Sequence, residues 1–241
     1  MDNSYFCRDQ LKALAAGFGV MLDETALDRF AVYAQKLVDW NEKINLTAIT
    51  DPEGVTVKHF ADSLAVFQYA DIPQNAKVID VGTGAGFPGV AMLIARPDLK
   101  LTLLDSTKKK LTVIEDILSA LGLQAETLHA RAEEAAKRAE YREQFDFATA
   151  RAVANLRELS EYCLPFVRKG GRFFSMKSAK TDKEIDGAKK AIAVLGGKIE
   201  AVNAFSLADA GERTVIMMKK ISQTSPKYPR PSAKIAKYPL A

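Results

Sequence analysis

Lys77-Val-Ile-Asp80-Val-Gly82-Thr-Gly84-Ala-Gly86-Phe87-Pro88-Gly89 is an apolar run of strand character that passes straight into a glycine-rich turn. The next apolar run, Leu101-Thr-Leu-Leu104, ends at an acid, Asp105. A strand, a turn whose backbone can approach a ligand, a helix and a second strand ending in an acid describe a nucleotide-cofactor site of Rossmann type. Four glycines within the eight residues from Gly82 to Gly89 exceed what a tight strand-to-helix turn needs for its positive φ angles.

Two ligands compete for such a turn. Gly84-Ala-Gly86-Phe87-Pro88-Gly89 fits the dinucleotide fingerprint, with Asp105 placed to hold a ribose. Asp80 opposes that ligand. A dinucleotide sets a doubly anionic pyrophosphate on the helix N-terminus, and a carboxylate within ~4–6 Å repels it. S-adenosylmethionine carries an ammonium and a sulfonium and no phosphate, so Asp80 suits it. Asp105 itself has two readings, ligand contact or cap of the helix beginning near Ser106-Thr107.

Outward from this stretch, strands and helices alternate. Strands are expected at 77–82, 100–105, 125–130, 145–150, 171–177, 198–206 and 212–220, with helices near 88–95, 107–120, 132–141, 155–167 and 182–195. Arg96-Pro97-Asp98, Gly122, Lys169-Gly170-Gly171, Gly196-Gly197 and Ala210-Gly211 supply the turns. Five βα units imply a parallel sheet covered on both faces, and the short link between the last two strands implies that one of them is reversed. Before residue 72 the pattern is helical: Ser4 to Ala16 closing at Gly17, a long segment capped by Asp23 and continuing towards Ile44, and a third opened by Asp51-Pro52-Glu53. The expected fold is α/β, a Rossmann-like class I methyltransferase with a seven-stranded, mostly parallel sheet, helices on both faces and an N-terminal helical extension. The divisions are 1–72 for the extension, 73–221 for the S-adenosylmethionine-binding domain and 222–241 for a basic tail.

Composition narrows the class. The 241 residues bury a sizeable core. No apolar run approaches the ~18 residues of a membrane span, and no N-terminal stretch reads as a signal peptide, so a cytoplasmic protein is expected. Cys7 and Cys163 lie far apart without metal-ligand spacing, which predicts reduced thiols, no disulfide and no metal. The net charge of +4 is uneven. Residues 1–76 carry 6 Lys/Arg against 11 Asp/Glu, whereas residues 219–241 carry 6 Lys/Arg and no acid. That end fits a phosphate backbone and equally fits a solubilising tail.

In an open α/β sheet the ligand lies beyond the carboxyl ends of the strands. The candidates there are Asp80 with Gly82 and Gly84, then Asp105, Arg131-Ala132-Glu133, Arg151 and Lys177. Ala132 and Glu133 can meet an adenine edge or simply open a helix with an acid favoured by its dipole. Arg151 follows Phe145-Asp-Phe-Ala-Thr-Ala150 and delivers a guanidinium to the sheet centre. Enzymes that methylate exocyclic amino groups commonly place an Asn/Asp-Pro-Pro-aromatic motif there, and this chain has Arg151-Ala-Val-Ala-Asn155. Cytosine-C5 chemistry needs a cysteine nucleophile, and neither cysteine falls at a strand end. Guanine N7 already holds an exposed lone pair and needs no base, so its methylation reduces to alignment in a desolvated site.

Trp40-Asn-Glu-Lys-Ile-Asn-Leu-Thr47, His59-Phe-Ala-Asp-Ser-Leu64, Asp80 to Gly89, Leu104-Asp-Ser106 with Lys109, Arg131-Ala-Glu133 and Ala150-Arg-Ala-Val153 occur in order. With these motifs the chain resembles the bacterial ribosomal RNA small-subunit methyltransferase G family, also called the glucose-inhibited division protein B family. The likeness extends to the Lys227-Tyr-Pro-Arg230 tail. It implies N7 methylation of one guanine in the decoding-region (530) loop of 16S rRNA, with S-adenosylmethionine as donor. It also implies cofactor contacts at Gly82, Phe87, Ala132, Glu133 and Arg151, to which Asp80, Gly84 and Asp105 are added by the electrostatic and turn readings. Arg151 is expected to position the base. Asn45 and His59 are expected to border it, with Arg172, Lys177, Lys227 and Arg230 holding RNA phosphate. The expected partner is 16S rRNA or a small-subunit precursor, met by a monomer without metal or membrane. A dinucleotide oxidoreductase and a non-catalytic RNA-binding factor are the rival readings.

Overall fold

The computed structural model describes residues 5–151, 154–177 and 181–240, so Ala152 and Val153 of the last motif lie outside the described residues. Seven strands, β1 Lys77–Val81, β2 Lys100–Asp105, β3 Glu126–His129, β4 Phe145–Arg151, β5 Val167–Lys177, β6 Gly197–Ser206 and β7 Glu212–Lys220, form one sheet in the order β3-β2-β1-β4-β5-β7-β6. β1 to β5 pair in parallel, and β7 runs antiparallel to both β5 and β6. Val78, Leu103, Phe147, Phe174 and Met217 face one core, while their chain neighbours Ile79, Leu104, Ala148, Phe173 and Ile216 face the other. That is the period-2 alternation of a pleated strand, here buried on both sides as a parallel sheet requires.

Helices α1 Arg8–Gly17 and α2 Glu24–Asn41 cover the first face, joined by α3, a helical run over residues 52–68 whose stretch Val55–Ala61 is π-helical. α4 Gly89–Ala95 and α5 Lys108–Leu121 complete that layer. α6 Ala132–Ala135, α7 Leu156–Cys163 and α8 Asp182–Val194 cover the opposite face, and α9 Ser232–Lys237 closes the chain against α7. The caps are those the sequence implies. The Asp23 carboxylate accepts from the Ala26 amide at 2.7 Å, and Asp51 accepts from Gly54 at 2.7 Å with Pro52 in the first turn.

The helical extension does not stand apart from the sheet, because both contribute to one hydrophobic core. Tyr33 of α2 is fully buried, stacks on Phe87 at 5.1 Å and donates its hydroxyl to the Ala85 carbonyl at 2.7 Å. The extension thus braces the glycine turn from outside. Tyr33→Phe should lower the urea midpoint at unchanged m-value, because leaving a buried carbonyl without its donor costs about 1–3 kcal/mol.

Several boundaries differ from expectation. α1 opens at Arg8, and Ser4 lies outside the described residues. α2 stops at Asn41 because the Asn41 amide oxygen accepts from Leu46 and Thr47 backbone N–H groups at 2.8 and 3.0 Å. The helix expected over 132–141 shortens to α6, since Tyr141 turns to donate to Glu126 at 2.7 Å and Arg142 reaches the carbonyls of Thr224 and Tyr228 at 2.7 and 2.9 Å. The helix expected to run to 167 tightens at Leu164-Pro165-Phe166, and β5 begins at Val167. Gly170 and Gly171 are a bulge inside β5, where pairing jumps from Phe145↔Val167 to Phe147↔Arg172. A Cβ at Gly171 would strike the Asp146 carbonyl. Among the described residues no helix is long and apolar enough to cross a membrane.

Candidate active site

The turn after β1 stays tied to the sheet, with Gly82 and Thr83 N–H groups both donating to the Leu104 carbonyl at 2.8 and 3.1 Å. Gly82, Gly84 and Gly86 have φ of 72°, 62° and 99°, backbone that side chains rarely adopt. A Cβ on Gly86 would also lie 2.7 Å from the Tyr33 hydroxyl. Asp80 anchors the turn from below. It is fully buried beneath the turn, where one carboxylate oxygen accepts from Thr83 Oγ1 at 2.6 Å and the Gly89 amide at 3.0 Å, and the other from Thr149 Oγ1 at 3.2 Å. Burial raises its pKa to about 6 against the pull of those three donors. These bonds tie both ends of the turn to β4, and the carboxylate lies behind the wall of the adjoining cavity rather than on it.

That cavity, of about 300 Å³, opens beyond the carboxyl ends of β1, β2 and β3. Gly82, Asp105, Ala132 and Glu133, four of the residues expected at the cofactor, line it together, and Gly84, Phe87 and Arg151 are not on its wall. Asp105 accepts from the Gly84 amide at 3.0 Å and the Thr107 amide at 2.8 Å, so it shapes the turn and also faces the cavity. The lining carries three carboxylates, Asp105, Glu133 and Glu158, against one cation, Arg131. Tyr162 of α7 and Ser232 of α9 finish the wall.

A second cluster forms where α3 meets the ends of β4 and β7. His59 stacks on Phe87 with ring centres 4.6 Å apart and planes at 14°, and the Arg151 guanidinium lies 4.9 Å from the Phe87 centroid. Arg151 Nη1 donates to the Lys58 carbonyl at 3.0 Å, the His59 carbonyl at 3.3 Å, Asp62 at 3.1 Å and Ser63 Oγ at 3.4 Å. Asp62 bridges two arginines, its other oxygen lying 3.2 Å from Arg213 Nε. His59 Nδ1 faces Arg151 Nη2 at 3.4 Å, so Nε2 carries the ring proton and donates to Thr47 Oγ1 at 2.9 Å. Burial, and then Arg151, lower the His59 pKa to about 4, which keeps the ring neutral.

The sequence reading missed Arg213. A ligand is expected at the C-terminal ends of strands, but β7 is reversed, so its first residues share that edge with the last residues of β4 and β5. The register Lys177↔Thr214 is the signal that places Arg213 there. Ser232 and Tyr162 were missed because nothing local marks them.

The cations expected to hold phosphate fall into different settings. Arg172 sits mid-strand in β5, five residues before Lys177, and pairs with Glu200 at 2.6 Å. Lys177 donates to the Ala154 carbonyl at 2.6 Å and to Glu184 at 2.8 Å. Arg230 grips Glu161, with Nη2 at 2.7 Å and Nε at 2.9 Å. These three are held by intramolecular acceptors. Lys227 is exposed beside the Tyr228 ring, and Asn45 is exposed in the loop after α2.

The GidB family, described as rRNA small subunit methyltransferase G, matches residues 26–216. The ribosomal RNA small subunit methyltransferase G of Clostridium novyi is 43% identical over 242 aligned positions that cover 100% of both chains. Its counterpart in Acetivibrio thermocellus is 47% identical over 94% of this chain and 93% of its own. Among solved structures, a SAM-dependent O-methyltransferase from Thermotoga maritima superposes with a TM-score of 0.53 at 15% identity, over 78% of this chain and 72% of its own. A 16S rRNA (adenine(1408)-N(1))-methyltransferase from Catenulisporales acidiphilia gives 0.53 at 12% identity, over 63% and 88%. These distant likenesses show the fold, a Rossmann-like methyltransferase sheet. The chain belongs to the rRNA small subunit methyltransferase G family.

Proposed function

We propose that this chain uses S-adenosylmethionine to methylate N7 of a guanine in the 530 loop of 16S rRNA, in the cytoplasm. The observation that carries the donor is the charge of the cavity wall. Three carboxylates against one arginine repel a diphosphate and suit a sulfonium compound. The donor supplies an electrophilic methyl group. Asp105 and Glu133 bind it on the wall, and Gly82 lets the backbone approach it.

The cluster around Arg151 fits a nucleophile that needs no deprotonation. His59 is neutral with both ring nitrogens engaged, and Asp62 is neutralised by two arginines, so neither is free to take a proton. Arg151 positions the base, the stacked Phe87 and His59 rings exclude water beside it, and Asn45 borders the entry. Phosphate falls to exposed cations, Lys108 and Lys109 at the start of α5, which follows the cavity residues Asp105 and Ser106, together with Lys227. Arg172, Lys177 and Arg230 are already paired with Glu200, Glu184 and Glu161, so phosphate is not assigned to them.

Lys108→Ala with Lys109→Ala should weaken binding of a 530-loop RNA and flatten the log–log salt dependence by about 0.7–0.9 per lost phosphate contact. An unchanged slope would remove both lysines from the interface. The function itself is tested by nucleoside mass spectrometry of rRNA from cells with and without the gene. Loss of 7-methylguanosine, with loss of alkali- and aniline-induced cleavage in that loop, supports it. Unchanged modification refutes it.

A further inference from the structure

We infer that the C-terminal strap, residues 222–240, is a wall of the donor pocket, and that Arg230 positions this wall. The inference rests on the reading of the cavity as the donor site. Because β7 is reversed, the chain leaves the sheet at Lys220, at the edge opposite the cavity, and must climb back along α7 to reach it.

The climb is pinned at each stage. Lys220 is fully buried and donates to the Leu164 carbonyl and Thr224 Oγ1, both at 2.7 Å, with Glu143 at 2.9 Å. Glu143 also accepts from the Thr224 amide at 2.8 Å, and Arg142 holds the Thr224 and Tyr228 carbonyls. The Tyr228 ring is buried in the core of that face. Arg230 then grips Glu161 of α7 through its guanidinium and, at 2.8 Å, through its own backbone N–H. Glu161 has a side chain 1% exposed, and its chain neighbour Tyr162 lines the cavity. Two residues beyond Arg230, Ser232 meets the same cavity from the other side.

A buried ion pair is weak evidence for stability, because desolvation offsets its attraction. What this pair supplies is register: one bidentate contact sets the spacing between Tyr162 on α7 and Ser232 on the strap. For Arg230 to meet RNA phosphate it would have to abandon a buried carboxylate, which breaking such a pair makes costly.

The test titrates S-adenosylmethionine calorimetrically into the full-length protein and into Arg230→Ala, Arg230→Lys and Ser232→Trp, and titrates each with the 530-loop RNA at two salt concentrations. Arg230→Ala should raise the donor Kd about tenfold, ~1.4 kcal/mol. Arg230→Lys should recover part of that loss, as a point charge lacking the guanidinium fork. Ser232→Trp, which leaves the ion pair intact and so decides the matter if Arg230→Ala fails to fold, should raise the donor Kd without moving Tm. RNA affinity and its salt slope should match the parent throughout. A fall in RNA affinity with the donor Kd unchanged would overturn the inference and return Arg230 to the RNA. Parental donor binding in Ser232→Trp would overturn the strap as a wall while the donor site stands. Absence of donor binding by the unmodified protein would overturn the proposed function itself.

Discussion

Arg151→Ala is expected to slow methyl transfer at saturating donor by about 100- to 1,000-fold, the scale set by losing a positioned contact at a reacting base. The residue is a hub. Its Nη1 alone meets two carbonyls, a carboxylate and a hydroxyl, so removing it releases the π-helical turn of α3 and the Phe87–His59 stack together. Arg151→Lys should rescue little, because an ammonium cannot reach acceptors spread across a planar fork. Single-turnover assays with labelled donor read the effect, and retention of more than about a tenth of the parental rate would remove Arg151 from base positioning. A second readout is His59, whose pKa near 4 owes its depression first to burial and then to Arg151. In Arg151→Ala that pKa should rise, as followed by imidazole NMR.

The other large effect lies at Asp80. Asp80→Ala strips the acceptor from Thr83, Gly89 and Thr149, and at about 1–3 kcal/mol for each buried group the loss is about 3–9 kcal/mol. Asp80→Asn should fold. Its oxygen can accept from Thr83 and Gly89, and its amide can donate to Thr149 Oγ1.

The asparagine variant also exposes a balance in the pH dependence. Burial raises Asp80 from 3.8 to about 6, so the folded chain keeps its proton where the unfolded chain has lost it. That contribution to stability falls as pH climbs from 4 to 6, by about 3 kcal/mol. His59 runs the other way. Its pKa drops from 6.5 to about 4, so its contribution is present above 6.5 and is lost as pH falls to 4. The magnitude is again about 3 kcal/mol, and the two nearly cancel. Asp80→Asn should therefore gain stability as pH rises across this window, and His59→Gln should lose it. Urea unfolding of both variants at about pH 4.5 and about pH 6.5 checks the opposed slopes, and curves parallel to the parent would refute the pairing.

The sheet and the glycine turn were legible in the sequence because their causes are local. Alternating apolar residues, Asp23 and Asp51 before helical runs, and glycine where φ is positive all act over a few residues. The orientation of Asp80 was not legible. Hydropathy says that a strand passes residue 80, but the donor on Thr149 arrives from a strand 69 residues later. The same holds for Arg230, whose partner Glu161 is also 69 residues away. A basic tail with no acid looks free until the acid that neutralises it is found elsewhere in the chain. Arg213 was hidden by direction: the reversal of β7 sets a strand's beginning beside the carboxyl ends of β4 and β5.

The order of synthesis gives that strap a temporal meaning. All seven described strands are complete by Lys220, whereas Ser232 follows 12 residues later in the chain. The sheet thus has every strand in place before the residue that completes the cavity wall is reached.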